Sequence, residues 1–199
     1  DEFPYWTGDG DEWRKFVATP RRRRDLSEWL KQPPSADHWQ EDDWRQRCRD
    51  NFATTACALC ALAREGIWPT ERWREALQAW SEEKLLNRSW RYMAPVLASA
   101  PEEILQGLTH GVSWWLQATA KTFEGHVEMF FAFCDRLLAL EYEDDNDGDV
   151  VGRAINHPVG HATEALLRWW YRQSPEDRQG LPDELKSIFS ALCNTGINK

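Results

Sequence analysis

No stretch of this chain approaches the roughly 18 consecutive apolar residues that a membrane-spanning helix needs, so no transmembrane segment is expected. The opening DEFPYWTGDG is acidic and turn-rich where a secretory leader would be apolar, and a cytoplasmic location is expected. Aliphatic residues are scarce as well. Hydrophobic residues are 42% of the chain and aromatics alone supply 13%. Strand-like alternation never persists beyond a few residues, which disfavours a β-sheet architecture. No GxSxG elbow is present, and Gly8-Asp9-Gly10 lacks the strand and the later glycine of a phosphate-binding loop. A basic excess is missing too. The net charge is −9, divided as −1 over residues 1–100 and −8 over the remainder, which argues against a nucleic-acid partner.

What the chain has instead is tryptophan, 13 in 199 residues. A mean hydropathy of −0.69 would suit a disordered chain. That index penalises Trp and Arg, however, and each indole buries a large apolar area. An interior built from a few large rings is therefore expected.

Periodicity is helical nearly throughout. The pattern predicts a short helix from Asp11 to Val17, then one opened by Pro20 with Leu26, Trp29 and Leu30 on its face. Ser35 or Asp37 is read as the cap of a helix carrying Trp39, Trp44, Cys48 and Phe52, which runs on to a C-cap at Gly66. Thr70 is read as the next cap, with Trp73, Leu77 and Trp80 on one face. Pro95 predicts a break or kink in the helix that follows Ser81. Further helices start at Pro101, after Gly111, after Gly125 (Val127 to Leu140, the expected centre), at Pro158 and at Pro182. The sum is an all-α array of eight to ten short helices with irregular, HEAT-like packing. It is read as a single domain over 1–199, with a main array at 1–140, an acidic loop at 141–149 and C-terminal helices at 150–199.

Several clusters invite a chemical reading. Cys57 and Cys60 form a CxxC, but within a helical pattern and with no second pair nearby, so they are read as core thiols. The odd total of Cys48, Cys57, Cys60, Cys134 and Cys193 fits free thiols. Gly148 could be the sixth residue of a calcium loop with Glu143, Asp145 and Asp147 before it, yet the twelfth position is then Ala154 instead of Glu. His157, His161 and Glu164 could share a helix face, but Pro158 stands where the zinc-protease motif has Glu, and His157 is read as lying at a cap. Arg21 to Arg24 are read as a solvated face, with Arg21–Asp25 and Arg24–Glu28 as i,i+4 pairs. The serines are assigned mostly to helix starts, as caps. In the adjacent pairs Trp114-Trp115 and Trp169-Trp170, one ring of each is expected in the core and the other on a partner surface.

Residues 156–196, NHPVGHATEALLRWWYRQSPEDRQGLPDELKSIFSALCNTG, resemble a segment in the large C-terminal region of bacterial sirtuin-like proteins. The defence-associated sirtuins of anti-phage systems are among them. EFPYW from Glu2, and residues 101–123, PEEILQGLTHGVSWWLQATAKTF, are similar to earlier stretches of that region. The resemblance covers most of the chain, and its motifs are packing and turn signatures. It implies a sensing or regulatory helical module whose NAD-degrading domain lies elsewhere, and the start at Asp1 and end at GINK suggest a piece of a longer protein. Its implied partner is a phage structural protein or the protein's own sirtuin-like domain. No catalytic, cofactor or metal residue can be assigned through it. The alternatives are a standalone helical scaffold of another pathway, and a metal-dependent enzyme using His157, His161 and the acidic loop.

Overall fold

Large indoles set the layout of the helices. The computed structural model describes residues 15–33, 40–140, 157–173 and 180–195. Among them the order is β1 (Lys15–Val17), α1 (Arg23–Leu30), β2 (Gln40–Asp42), α2 (Trp44–Asp50), α3 (Phe52–Arg64) and α4 (Thr70–Trp80). There follow α5 (Glu83–Ala98), α6 (Glu102–Gly107), α7 (Thr109–Thr119), α8 (Val127–Ala139), α9 (Pro158–Arg172) and α10 (Asp183–Thr195). The fold is an all-α array of short helices. One contiguous core runs from Leu26 to Ile188.

The N-terminal region departs from the helical expectation. Residues Lys15–Val17 form a strand, paired in parallel with β2 in the register Lys15↔Gln40, Phe16↔Glu41 and Val17↔Asp42. The long helix expected to run from Ser35 or Asp37 through Phe52 is interrupted twice, by β2 and by the junction at Asn51. Asn51 has a non-helical backbone (φ −131°, ψ 52°). Periodicity alone could not see this, because Trp44, Cys48 and Phe52 all face the core across the break. Trp39 and residues 11–14 lie outside the described residues, as does the acidic loop at 141–149.

Other boundaries follow local chemistry. Gly66, at φ +77°, closes α3 as a left-handed cap. The Ile67 N–H reaches the Leu62 carbonyl at 2.9 Å and the Gly66 N–H reaches Ala63 at 3.0 Å, the paired bonds of a Schellman ending. Thr70 is the first helical residue of α4 and makes no capping bond; Pro69 precedes it as the cap position. Trp73, Leu77 and Trp80 share a fully buried face as expected. Pro95 does not break α5, which continues to Ala98. Both Pro95 and Arg91, whose carbonyl loses its helical partner, are exposed, so water replaces the single lost bond. Gly111 lies inside α7, where an added Cβ would meet Arg74 Cγ at 3.4 Å and Arg74 Cα at 3.5 Å. A Cβ there would only make ordinary contact with α4, and the residue starts no helix. The serines, too, do different work from capping: Ser81 and Ser99 donate back to the Leu77 and Val96 carbonyls at helix ends.

The centre of the domain is α7, which contacts α4, α5, α6, α8 and α9. Its Val112, Trp115 and Leu116 are fully buried, whereas α8 buries one face and leaves Val127 38% exposed. Trp44, Trp73, Trp80, Trp90 and Trp115 are all completely buried. Four of the five donate their indole N–H to another element. Trp44 bonds to the Arg72 carbonyl at 2.9 Å and Trp80 to the Cys48 carbonyl at 3.2 Å. Trp90 bonds to the Gly125 carbonyl at 3.1 Å and Trp115 to Ser89 Oγ at 2.9 Å. Replacing Trp44 by Phe removes the indole N–H bond to the Arg72 carbonyl and part of the buried apolar volume, so a loss of about 1–3 kcal/mol is expected by urea denaturation. Trp114→Phe, on an exposed ring, should stay within about 0.5 kcal/mol of the parent.

Candidate functional site

Helix α3, FATTACALCALAR, buries Phe52, Thr55, Ala56, Ala58, Leu59, Cys60 and Leu62 and presents Ala53, Cys57 and Arg64 outward. Small side chains make this outer side low. Helix α5 rises beside it with Arg88, Tyr92 and Val96 at i, i+4 and i+8, one stripe on a helix. With Arg23 of α1 they enclose a groove of about 290 Å³. Its floor is apolar: Cys60 Sγ lies 4.0 Å from Met93 Sδ. Burial raises the Cys60 thiol pKa, and nearby Arg64 partly offsets this. Tyr92 is 53% exposed and stands 6.4 Å from the Phe52 ring. The Arg88 guanidinium sits 4.8 Å above that same ring, held at the rim by a cation–π contact. Three arginines and no carboxylate line the groove.

The CxxC is thus split in its roles. Both thiols are on one helix as expected, but only Cys60 is core; Cys57 is exposed on the groove wall. The sequence reading missed the groove altogether. Its signal was the Arg88-Tyr92-Val96 stripe, which flanks the buried face of Leu86, Ser89, Trp90 and Met93 on the same helix.

A second, smaller hollow of about 170 Å³ is lined by Arg74, Gln78, His110, Gly111 and Trp114. Here the first tryptophan pair behaves as expected: Trp115 is core and Trp114 is 51% exposed. The second pair does not, because Trp169 and Trp170 are both half-buried, Trp169 edge-on against Phe131 at 4.9 Å. Trp114 also meets His161 edge to face at 5.5 Å.

The His157, His161 and Glu164 trio is dispersed into separate structural tasks. His157 caps α9, its Nδ1 accepting the Val159 N–H at 3.2 Å, as Pro158 at the first helical position foretold. His161 is buried, with Nδ1 3.2 Å from Ser113 Oγ on α7. Glu164 accepts hydrogen bonds from Gln117 and Arg168. No group of three His, Cys, Asp or Glu side chains among the described residues is arranged to hold a metal ion. The arginine run is exposed, yet the expected i,i+4 pairs do not form among the described residues. Arg21 lies outside α1, which begins at Arg23, and Glu28 pairs instead with Lys31 at 2.9 Å. Compared with family models, with curated proteins and with solved structures, the chain matches none.

Two outcomes follow for titrating side chains. In a Cys193→Ser protein, Cys57 should react with a disulfide reagent at the rate of an open thiol, Cys60 on the groove floor more slowly, and Cys48 and Cys134 only on unfolding. Two or more fast thiols would contradict the burial pattern. Burial first, then the nearby His110, with a smaller push from His157, lowers the His161 pKa below its ordinary value against the pull of Glu164. The unfolded chain therefore binds the proton more tightly, and the His161 contribution to stability is intact above the ordinary histidine range and lost as pH falls through it. Urea midpoints measured between pH 7.5 and pH 5 (on the order of the ordinary value near 6.5) should fall more for the parent than for His161→Gln.

Proposed function

We propose that this chain is a non-catalytic helical interaction module that engages a protein partner through the groove between α3 and α5. The single observation that supports this most is an open apolar groove with Tyr92 standing in it and arginines along its rim. Tyr and Arg are the residue types over-represented where a few side chains dominate binding. The resemblance of residues 156–196 to the C-terminal region of defence-associated sirtuin-like proteins supplies the biological setting in this reading. In that setting the module senses a trigger or restrains an NAD-degrading domain outside this chain. Restraint of that kind requires contacts that differ between the resting and triggered states.

A photo-crosslinking amino acid placed at position 92 tests the reading in the native cell. Discrete protein adducts, enriched over the same probe at exposed position 103, are the expected result, together with no loss of NAD on incubation with the purified chain. Equal labelling at both positions would overturn the groove as the binding face, and NAD consumption would overturn the non-catalytic reading.

A further inference from the structure

The charge around the groove identifies the chemistry of its occupant. Four arginines of the described residues pair with carboxylates, Arg49 with Glu82, Arg72 with Asp42 and Glu75, Arg74 with Glu71, and Arg168 with Glu164. None of the four lines the groove. Arg23, Arg64 and Arg88 are exposed and form no ion pair among the described residues, although the chain carries a net charge of −9. Three like charges around one hollow repel one another, and no carboxylate on the lining relieves them. An occupant that brings negative charge to the rim gains from all three. An occupant that brings apolar side chains to the floor gains from Phe52, Cys60, Met93 and Val96.

Shape narrows the class further. The wall formed by α3 from Phe52 to Arg64 is about 18 Å long at the α-helical rise, and α5 provides a second wall. A trench between two helices with a low floor is the setting in which a third amphipathic helix docks, its anchors spaced i, i+3 or i+4, and i+7. The hollow of about 290 Å³ takes the anchoring side chains and leaves the helix backbone above the rim, level with the guanidinium groups. We infer that the groove of α1, α3 and α5 receives an acidic amphipathic helix of a protein partner, with apolar anchors over Met93 and Val96 and carboxylates paired to Arg23, Arg64 and Arg88. This rests on the interaction-module reading and names the partner's chemistry.

Cys57 lies on the groove wall, so its modification rate reports occupancy. The probes are a helical peptide with Leu anchors at the i, i+3, i+7 spacing and flanking Glu residues, the same peptide with every Glu changed to Lys, and dodecanoate. In the Cys193→Ser protein, saturating Glu peptide should slow Cys57 modification at least tenfold and the Lys peptide should leave it unchanged. The Arg64→Glu, Arg88→Glu double variant alters two exposed side chains and should reverse the preference between the peptides. Protection by both peptides alike, by neither, or by dodecanoate alone would each overturn the acidic-helix assignment. None of those results bears on whether a protein crosslinks at position 92, so failure of this assignment and failure of the interaction reading are distinguishable.

Discussion

The structure depends on buried indoles that must place a polar N–H while filling apolar space. A tryptophan ring can be completely buried at little cost only where its N–H meets an acceptor, and the acceptor must be at one position and in one direction. For Trp44, Trp80, Trp90 and Trp115 the acceptor sits on another element, whereas the buried Trp73 N–H has no acceptor among the described residues. Helices α2 and α4 exchange two such bonds, Trp44 to the Arg72 carbonyl and Trp80 to the Cys48 carbonyl, one running each way. Two opposed bonds between the same helices fix both their separation and their slide along one another. Trp90 does the same for α5 and the turn before α8, where Gly125 (φ +73°) and His126 (φ 53°) both take left-handed backbone. Trp115 ties α7 to Ser89 of α5. Packed among buried leucines, these rings give the array its specificity as well as much of its volume.

A second polar constraint is tied to the first. Arg72, whose carbonyl receives Trp44, is itself 4% exposed. Its guanidinium lies 4.1 Å over the Trp29 ring and bonds Asp42 at 2.7 Å and Glu75 at 3.3 Å. Burial pushes the Glu75 carboxyl pKa up even though Arg72 pulls it down, which marks this ion cluster as partly desolvated. Truncating one member of such a cluster leaves a charge buried without its partner. Asp42 is also the last residue of β2, and Asp43 next to it accepts both the N–H and the hydroxyl of Thr19. The N-terminal strand pair is therefore anchored to the helical array through side-chain ions, since its own three-residue strands are too short to hold together alone.

How much of this was legible depended on whether the controlling contact was local. Helix α9 was readable from Pro158 to Arg172 because proline at the first turn and the following periodicity are properties of that segment by itself. The Trp73-Leu77-Trp80 face was readable for the same reason. The strands β1 and β2 were not, since each is defined by a partner some 25 residues away; Lys15 faces Gln40. Gly111 was taken for a boundary because the sequence does not reveal that Arg74 lies against it. The Arg21–Asp25 pairing does not form because α1 starts later than Pro20 implied, which leaves Arg21 off the helix, and the Arg24–Glu28 pairing does not form because Glu28 is engaged by Lys31. The CxxC spacing puts Cys57 and Cys60 on one side of a helix and so implies two core thiols, but which small residue faces outward depends on where α5 lies. The candidate site was the least legible part, since the residues that line it come from three helices and carry no motif.

The groove is a consequence of the way the core was built. Large rings on α4, α5 and α7 occupy the interior, and α3 packs chiefly against α1 and α2 with Phe52 edge-on to Trp80 at 5.2 Å. A helix of small residues fits such a core, but it has nothing bulky to offer on its outer side. Between it and Tyr92 a trough remains open, floored by Cys60 and Met93. Arginine is well suited to border that trough, because its stem covers apolar surface while its head stays hydrated. Arg88 over Phe52 does this visibly. The same stem-and-head arrangement leaves the guanidinium available to a carboxylate that arrives from outside. Economy of packing in the interior and an unsatisfied positive rim on the surface are thus two results of one choice of amino acids for α3 and α5.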